Sequence, residues 1–389
     1  MSIDAPTVCV VTNIVPHYRV GFYNTIVKRG IASLVICCQS SMPGINIESQ
    51  VLSLDPSIEV FQIPFISARQ ERVAFQFLPR RAFEKDIDVH LMTANPRVVS
   101  TVFYSLFLEI CGRPVIGWGQ VNSGGAGRLS RRLKLAWWRR LSGLYVYTDE
   151  EADSIRREGY GGAVAGMNNG LDQDRIEEAA SRWPASRLRD WQRPRGIDPA
   201  MTLVSCARLD PKNAFDLVVS AMEELRDRWP RLKWYVIGDG PERARIESIA
   251  SNAGLSDRVE FVGSLYEEDD LAPWFLSATM MVHPGKIGLS LLHAFGYGCP
   301  VVTNGDVAFH TPEIAAFGHR RTGLFFERGD ASSLAGVVEA LLAAPQLRDT
   351  LGREARRVAR EDYNVGVMVD RFRHLLSQML SARRKTDRS

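Results

Sequence analysis

Four loops in the second half of the chain carry the cations and glycines from which an anion site can be built. Arg208 and Lys212 follow the apolar run TLVSCA, Gly238 and Gly240 follow KWYVI, Gly263 follows VEFV, and Gly285 and Gly288 follow MMVH. Glycines let backbone amides close on a ligand. A helix starting near Ser290 offers unpaired amides and the positive end of its dipole. Together these suit a diphosphate, with Arg208 gripping it by two prongs and Lys212 adding a point charge. One turn into that helix stands a lone histidine, His293, able to reach a ribose hydroxyl or a phosphate oxygen. In the first half, His17 and Arg19 follow the first apolar run in what reads as a loop, where they could meet an acceptor or a phosphate. Each feature alone has a plainer reading: a turn glycine, a core histidine, a solvated loop. The combination within one half-chain points to the ligand.

No pair of carboxylates stands at an acid/base spacing. The D-x-D triplets at Asp86 and Asp172 sit where a strand opens and a turn closes. His283, His293, His310 and His319 lack zinc-motif spacing. No metal is expected, and no cofactor beyond a donor substrate.

The elements that must position these groups alternate. In the second half, strand-like runs MTLVSCA, LKWYVIG, RVEFVG, TMMVHP and PVVT are separated by amphipathic helices, one with Phe215, Val218, Met222 and Leu225 on one face. In the first half, TVCVVTN, ASLVICC, DVHLM, PVIGW and LYVYT alternate with helices at 20–30 and 98–111. Short strand–helix alternation predicts parallel sheets covered on both faces. With 389 residues, 45% hydrophobic, the chain exceeds what one core usually serves. Two doubly wound domains facing a cleft are expected, with ligands at the carboxyl ends of the strands. The polar, Arg- and Trp-rich stretch 173–195 reads as the junction.

A net charge of +3 does not suggest nucleic acid. Six scattered cysteines without a C-x-x-C pair fit reduced thiols. No signal-like segment opens the chain and the apolar run 101–110 is too short to span a bilayer, so a cytoplasmic protein is expected. One stretch suggests a membrane surface. RLSRRLKLAWWRR, 128–140, holds six basic residues and no acid. At about 100° per residue, Leu129, Leu133, Ala136, Trp137 and Leu141 form a stripe expected to pack on the domain. Leu135 and Trp138 fall among the arginines, which predicts contact of 128–141 with anionic lipid, peripheral on the inner face of the membrane.

The segments ARLDPKNAFDLVVSAM, VIGDGPERARIESIA, DRVEFVGSL, GLSLLHAFGYGCPVV and TPEIAAFGHRRTGLFF, in that order and spacing, resemble the C-terminal domain of retaining glycosyltransferases of the two-Rossmann (GT-B) fold. The likeness is to the group 1, family-four set. TNIVPHYRVGFYN, ANPRVVST, PVIGWGQ and YTDEEADSIRREGY resemble that family's N-terminal domain more loosely. The resemblance implies a hexosyltransferase-type enzyme that moves a sugar from a nucleotide-diphosphate sugar to a glycan, glycolipid or lipid-linked acceptor in surface polysaccharide assembly. A nucleotide-sugar epimerase of similar fold and a non-catalytic binding subunit are the alternatives. It implies an acceptor domain at 1–172, a donor domain at 196–361, a last helix at about 362–383 returning to the first domain, and a disordered tail at 384–389.

Carried over by position, Arg208 and Lys212 would hold the diphosphate, with His17 beside them in the catalytic set. Val262, Gly263 and Leu265 would meet the base. Gly285, Lys286, Gly288, Leu289 and Ser290 would wrap the sugar and phosphates. His293 would meet the ribose, and Glu313 matches the family's Pro-Glu signature. Arg19 and Gln120 would lie on the acceptor side. The chain departs from the family where two glutamates usually stand, holding Gly285 and His293 instead. The loop between Arg208 and Lys212 is shorter than usual, VPHYR replaces a double glycine, and Gln120 replaces a histidine.

Overall fold

The computed structural model describes residues 5–42, 47–68, 73–121 and 128–386. They form two units, one of residues 1–169 and 365–389, the other of residues 170–364.

In the first unit the strands are β1 (Thr7–Val11), β2 (Ser33–Cys38), β3 (Ser41–Met42), β4 (Ile47–Glu48), β5 (Glu59–Gln62), β6 (Phe65–Ala68), β7 (Val73–Gln76), β8 (Val89–Thr93), β9 (Val115–Gly119), β10 (Gly143–Val146) and β11 (Ala163–Gly166). Seven of them make a parallel sheet in the order β11-β10-β9-β8-β1-β2-β5. Its central strands are apolar on both faces, because helices cover both. Helix α1 (His17–Lys28) and the last helix of the chain cover one face, around Phe22, Trp118, Tyr145 and Phe372. Helices α2 (Val99–Ile110), α3 (Arg128–Trp138) and α4 (Asp149–Arg157) follow successive strands in one direction, so right-handed crossovers place them on the other face. Leu108, Trp137, Trp138 and Ile155 fill the core there.

Helix α3 lies rotated from its expected setting. Leu135 is 8% exposed and Trp138 1%, whereas Leu133 is 64% exposed and Ala136 also faces water. Two adjacent indoles cannot both be buried by the expected stripe. The packed face therefore runs through Lys134, Leu135, Trp137, Trp138 and Leu141. The argument for a lipid surface from Leu135 and Trp138 is thereby overturned. The Leu129 side chain lies outside the described residues.

The second unit begins with α5 (Gln173–Ser181) and α6 (Ala185–Gln192), so the expected junction is folded structure. Glu177 pairs with Arg360 at 2.9 Å, and Gln192 Nε2 donates to Ser277 Oγ at 2.9 Å. Strands β12 (Thr202–Cys206), β13 (Lys233–Ile237), β14 (Val259–Gly263), β15 (Met280–His283), β16 (Val301–Asn304) and β17 (Gly323–Phe326) form a parallel sheet in the order β14-β13-β12-β15-β16-β17. Helices α7 (Asp216–Leu225), α8 (Arg243–Asn252), α9 (Glu268–Leu276), α10 (Ser290–Gly296), α11 (Ala331–Leu342) and α12 (Pro345–Glu361) complete the unit. The direction of winding reverses between β12 and β15, and such a switch point opens a crevice at the carboxyl ends of its two strands. Helix α13 (Val365–Thr386) returns to the first unit, so residues 384–386 of the expected tail are helical, and 387–389 lie outside the described residues.

The rotation of α3 is open to test by denaturation. Trp138→Ala is expected to cost about 3–5 kcal/mol as a large core truncation, while Leu133→Ser stays within about 0.5 kcal/mol as a surface change. The reverse ranking would restore the original stripe.

Candidate functional site

The crevice of the second sheet is walled by the loops after β12 and β15, and these loops interlock. Lys286 N donates to Lys212 O at 3.0 Å. A Cβ added at Gly285 would lie 2.2 Å from Lys212 O and 2.3 Å from Asn213 Cα, so only glycine permits this approach. The first loop occupies the space that any side chain at position 285 would need. Gly238 and Gly240 serve the same end from β13, with added Cβ atoms falling 2.0 Å from Ala207 O and 2.5 Å from Leu209 O. Gly238 adopts a φ of +138° and its amide donates to Gly263 O at 2.8 Å, tying the β14 end, with Val262 and Leu265, into the same set. These two glycines press backbone on backbone rather than opening space for a ligand.

Arg208, Lys212 and Lys286 reach solvent from this interlocked edge. Asp210, passed over in the sequence, holds two of them: its carboxylate lies 3.2 Å from Arg208 Nε and 3.4 Å from Lys212 Nζ. Both cations remain more than half exposed, so the pairs orient the side chains more than they stabilise the fold. Lys286 has no ion pair with another described residue. The arrangement is three cations and one carboxylate on a single rigid edge.

A buried bracket sets the second loop. Asn304 Nδ2 donates to Pro284 O at 2.9 Å and to Gly285 O at 3.1 Å. The His310 ring bridges Asn304 O at 2.9 Å and Ile287 N at 3.2 Å, which fixes Nε2 as the donor and Nδ1 as the acceptor. Burial lowers the His310 pKa, keeping the ring neutral for this task. Thr311 Oγ1 lies 2.8 Å from Ile287 O and 2.5 Å from Glu313 Oε2. Glu313, 5% exposed, thus braces the loop through Thr311. Gly288, Leu289 and Ser290 are half-buried at the start of α10, whose first turn closes through Leu291 N to Gly288 O at 2.9 Å. Helix α10 is seven residues long.

His293 turns toward α9. Its Nε2 meets Glu268 Oε1 at 2.7 Å, Tyr297 Oη donates to Glu268 Oε2 at 2.9 Å, and both rings stack on Phe275. Sequence reasoning missed Glu268, since 25 positions separate it from its histidine. With Nε2–H committed to the carboxylate, only Nδ1 of a neutral ring remains for a ligand. Burial pushes the Glu268 carboxyl up, but the bonds from His293 and Tyr297 outweigh it and hold the pKa below the usual value.

The remaining expected residues lie in the first unit. His17 opens α1 rather than sitting in a loop, and is exposed. Arg19 is drawn inside, 4% exposed, which removes it from the expected solvent-facing loop. Its guanidinium sits 5.0 Å from the Trp118 ring and contacts the sulfurs of Met368 and Met167 at 3.8 and 3.9 Å, with no carboxylate partner among the described residues. The Gln120 carbonyl accepts from Lys134 Nζ, an amine that burial pushes down to about 8. Among the described residues, no three His, Cys, Asp or Glu side chains converge as a metal site.

Two parallel-sheet α/β units of this kind define the GT-B fold, and solved structures agree. HepE of Anabaena, crystallised with UDP, superposes with a TM-score of 0.71 at 14% identity, covering 96% of this chain and 99% of that one. Residues 190–358 match the family model "Glycosyl transferases group 1". An exopolysaccharide phosphotransferase of Streptomyces coelicolor is 26% identical over 54% of this chain and 22% of its own length. A GDP-mannose-dependent phosphatidylinositol monomannoside mannosyltransferase of Mycolicibacterium smegmatis is 26% identical over 57% of this chain and 58% of its own length. A D-inositol 3-phosphate glycosyltransferase of Streptomyces bingchenggensis is 29% identical over 54% of this chain and 48% of its own. The chain thus spans about half the length of the last two relatives and less of the first. The relatives include named glycosyltransferases.

The Glu268 pairing contributes stability that is complete above the unfolded carboxylate pKa, about 4.3, and is lost as pH falls through the lowered folded value. Glu268→Gln should therefore cost about 1–3 kcal/mol at pH 7. The gap to the parent protein should close below roughly pH 4 in denaturant titrations; a pH-independent gap would contradict the pairing. Gly285→Glu should lower stability by about 1–3 kcal/mol through overpacking, without improving nucleotide affinity in calorimetry.

Proposed function

We propose that the protein transfers a sugar from a nucleotide-diphosphate sugar to a glycan, glycolipid or lipid-linked acceptor, with retention, on the cytoplasmic side of surface polysaccharide or glycoconjugate assembly. The observation that carries this reading is the interlocked edge, where Arg208, Lys212 and Lys286 reach solvent from the loops beside a switch-point crevice. The group 1 match over residues 190–358 supports it. So do the printed names of relatives, which include mannosyl and inositol-phosphate glycosyl transfer.

In this reading the cations hold the diphosphate as the bond from the sugar's anomeric carbon to phosphate oxygen breaks. A bond from the acceptor oxygen to that carbon forms on the same face, and the acceptor's proton passes to the departing phosphate. The protein's share is positioning and stabilisation of the leaving charge. His293 offers Nδ1 to a ribose hydroxyl or phosphate oxygen, oriented from behind by Glu268. His17 stays in the catalytic set, and Gln120 and the buried Arg19 belong to the acceptor side.

Screening nucleotides and nucleotide sugars by thermal shift tests the reading, because a ligand bound only to the folded state raises the melting temperature with occupancy. A nucleoside diphosphate or its sugar is expected to stabilise the protein. Arg208→Ala should weaken that binding by about tenfold or more, the loss of a charge-assisted contact. Absence of any nucleotide-dependent shift would remove the proposal. Binding without donor hydrolysis or transfer would leave a binding subunit in its place.

A further inference from the structure

Helix α6 and the short turn Arg193–Arg195 that follows it carry a repeating pattern. Trp183, Arg187, Trp191 and Arg195 stand four residues apart, a spacing that sets neighbours along one side of a helix. The structure turns the pattern into a ladder. The Arg187 guanidinium lies 4.2 Å from the centre of the Trp183 ring, and that of Arg195 lies 4.4 Å from the Trp191 ring. The two indoles meet edge to face with centroids 6.0 Å apart. A second contact fixes each guanidinium: Arg187 Nη1 donates to Arg182 O at 2.6 Å, and Arg195 Nη1 to Trp191 O at 2.9 Å. Both arginines are exposed.

Positive charge gathers along this row. Residues 182–195 hold five arginines and one acid, Asp190. Arg182 is engaged by Glu178 and Asp269. Arg187, Arg189 and Arg195 have no ion pair with another described residue, and Arg193 meets Asp190 only at 3.8 Å. The row follows α9. Arg182 binds Asp269 in the first turn of that helix, Trp191 meets Trp274 with centroids 4.8 Å apart, and Gln192 bonds Ser277 just past its end. The first residue of α9 is Glu268, the partner of His293. One end of the row therefore starts beside the candidate site, and the other leads away from it.

We propose that this row binds a chain of acidic sugars, with carboxylates meeting the guanidinium forks and sugar rings lying along the stacked planes. The proposal rests on the glycosyltransferase reading and adds a place where the polymer is held outside the crevice. A guanidinium fork matches a planar carboxylate, and one already stacked on an indole loses less freedom when it binds. No large apolar side chain of 182–195 is among the exposed ones, so the row has nothing to insert into a bilayer. The proposed reaction brings a saccharide to this unit, whereas a net charge of +3 does not mark the chain for nucleic acid.

Binding of the full chain to coated biosensor surfaces tests this. The probes are alginate, a polymer of uronic acids; dextran, which is uncharged; and single-stranded oligothymidylate. The protein should bind alginate at low salt, lose at least about tenfold in affinity at roughly 0.5 M salt, where exposed charges are screened, and ignore dextran. Arg189→Glu/Arg193→Glu, which leaves the stacks in place, should weaken alginate binding by about tenfold or more. Arg187→Gln/Arg195→Gln should weaken it to a similar extent. Arg348→Glu/Arg353→Glu makes the same charge change as the first variant at exposed positions on α12, and should change nothing. Every variant should keep the parental nucleotide-induced thermal shift, which separates a failure here from a failure of the proposed function. Absence of alginate binding at low salt, or binding that both α6 variants leave intact, would overturn the proposal. So would tighter binding to oligothymidylate that the same variants abolish, which would assign the row to nucleic acid.

Discussion

The second unit depends on one steric fact: the backbone of Gly285 rests directly on that of Lys212 and Asn213. The loops after two neighbouring strands that wind in opposite directions would ordinarily stand apart. Here they are held in van der Waals register, and the cations they carry are fixed relative to one another. The Asn304 and His310 bracket serves that contact from beneath, satisfying carbonyls and an amide that the tight turn would otherwise leave unpaired. A site built this way is organised before any ligand arrives, so little of the binding energy has to be spent on ordering it.

The first unit shows the opposite economy. Arg19 is a buried cation without a carboxylate, held by two methionine sulfurs and an aromatic face. Sulfur is a weak acceptor, so these contacts replace only part of the hydration the guanidinium gives up. Fold stability alone would favour an apolar side chain there. Lys134, on the other face of the sheet, is buried with carbonyl oxygens to accept its protons and an indole beneath it.

The alternation of strand and helix was legible because parallel strands covered on both faces read as unbroken apolar runs, and all five strands expected in the second half are present. The glycine and cation positions were legible for the same reason, since they sit where those runs end. What was not legible depended on contacts far apart in sequence. Periodicity identified α3 as a helix but misjudged its rotation, because two consecutive tryptophans overrode the average stripe. His293 was recognised, but Glu268, Tyr297 and Phe275 reach it from other positions on the chain, and no local pattern announces them. The stretch 173–195 looked like a linker because its arginines and tryptophans resemble a solvated segment; in the structure Trp191 meets Trp183 and Trp274 edge to face, with arginines lying over the faces of Trp183 and Trp191.

Helix α13 has a consequence for the order in which the protein is made. Phe372, Met368, Val369 and Leu375 are completely buried in the core of the first unit, yet they are translated after the entire second unit. Leu171 and Asn364, at the two ends of the second unit, form a bridge with each other, so that unit closes on itself like a cassette inserted into the first. During synthesis the second unit can therefore already be folded while the first still waits for α13. During that interval the apolar surface of the first unit that α13 covers, beside Phe22 and Ile26 of α1, is open.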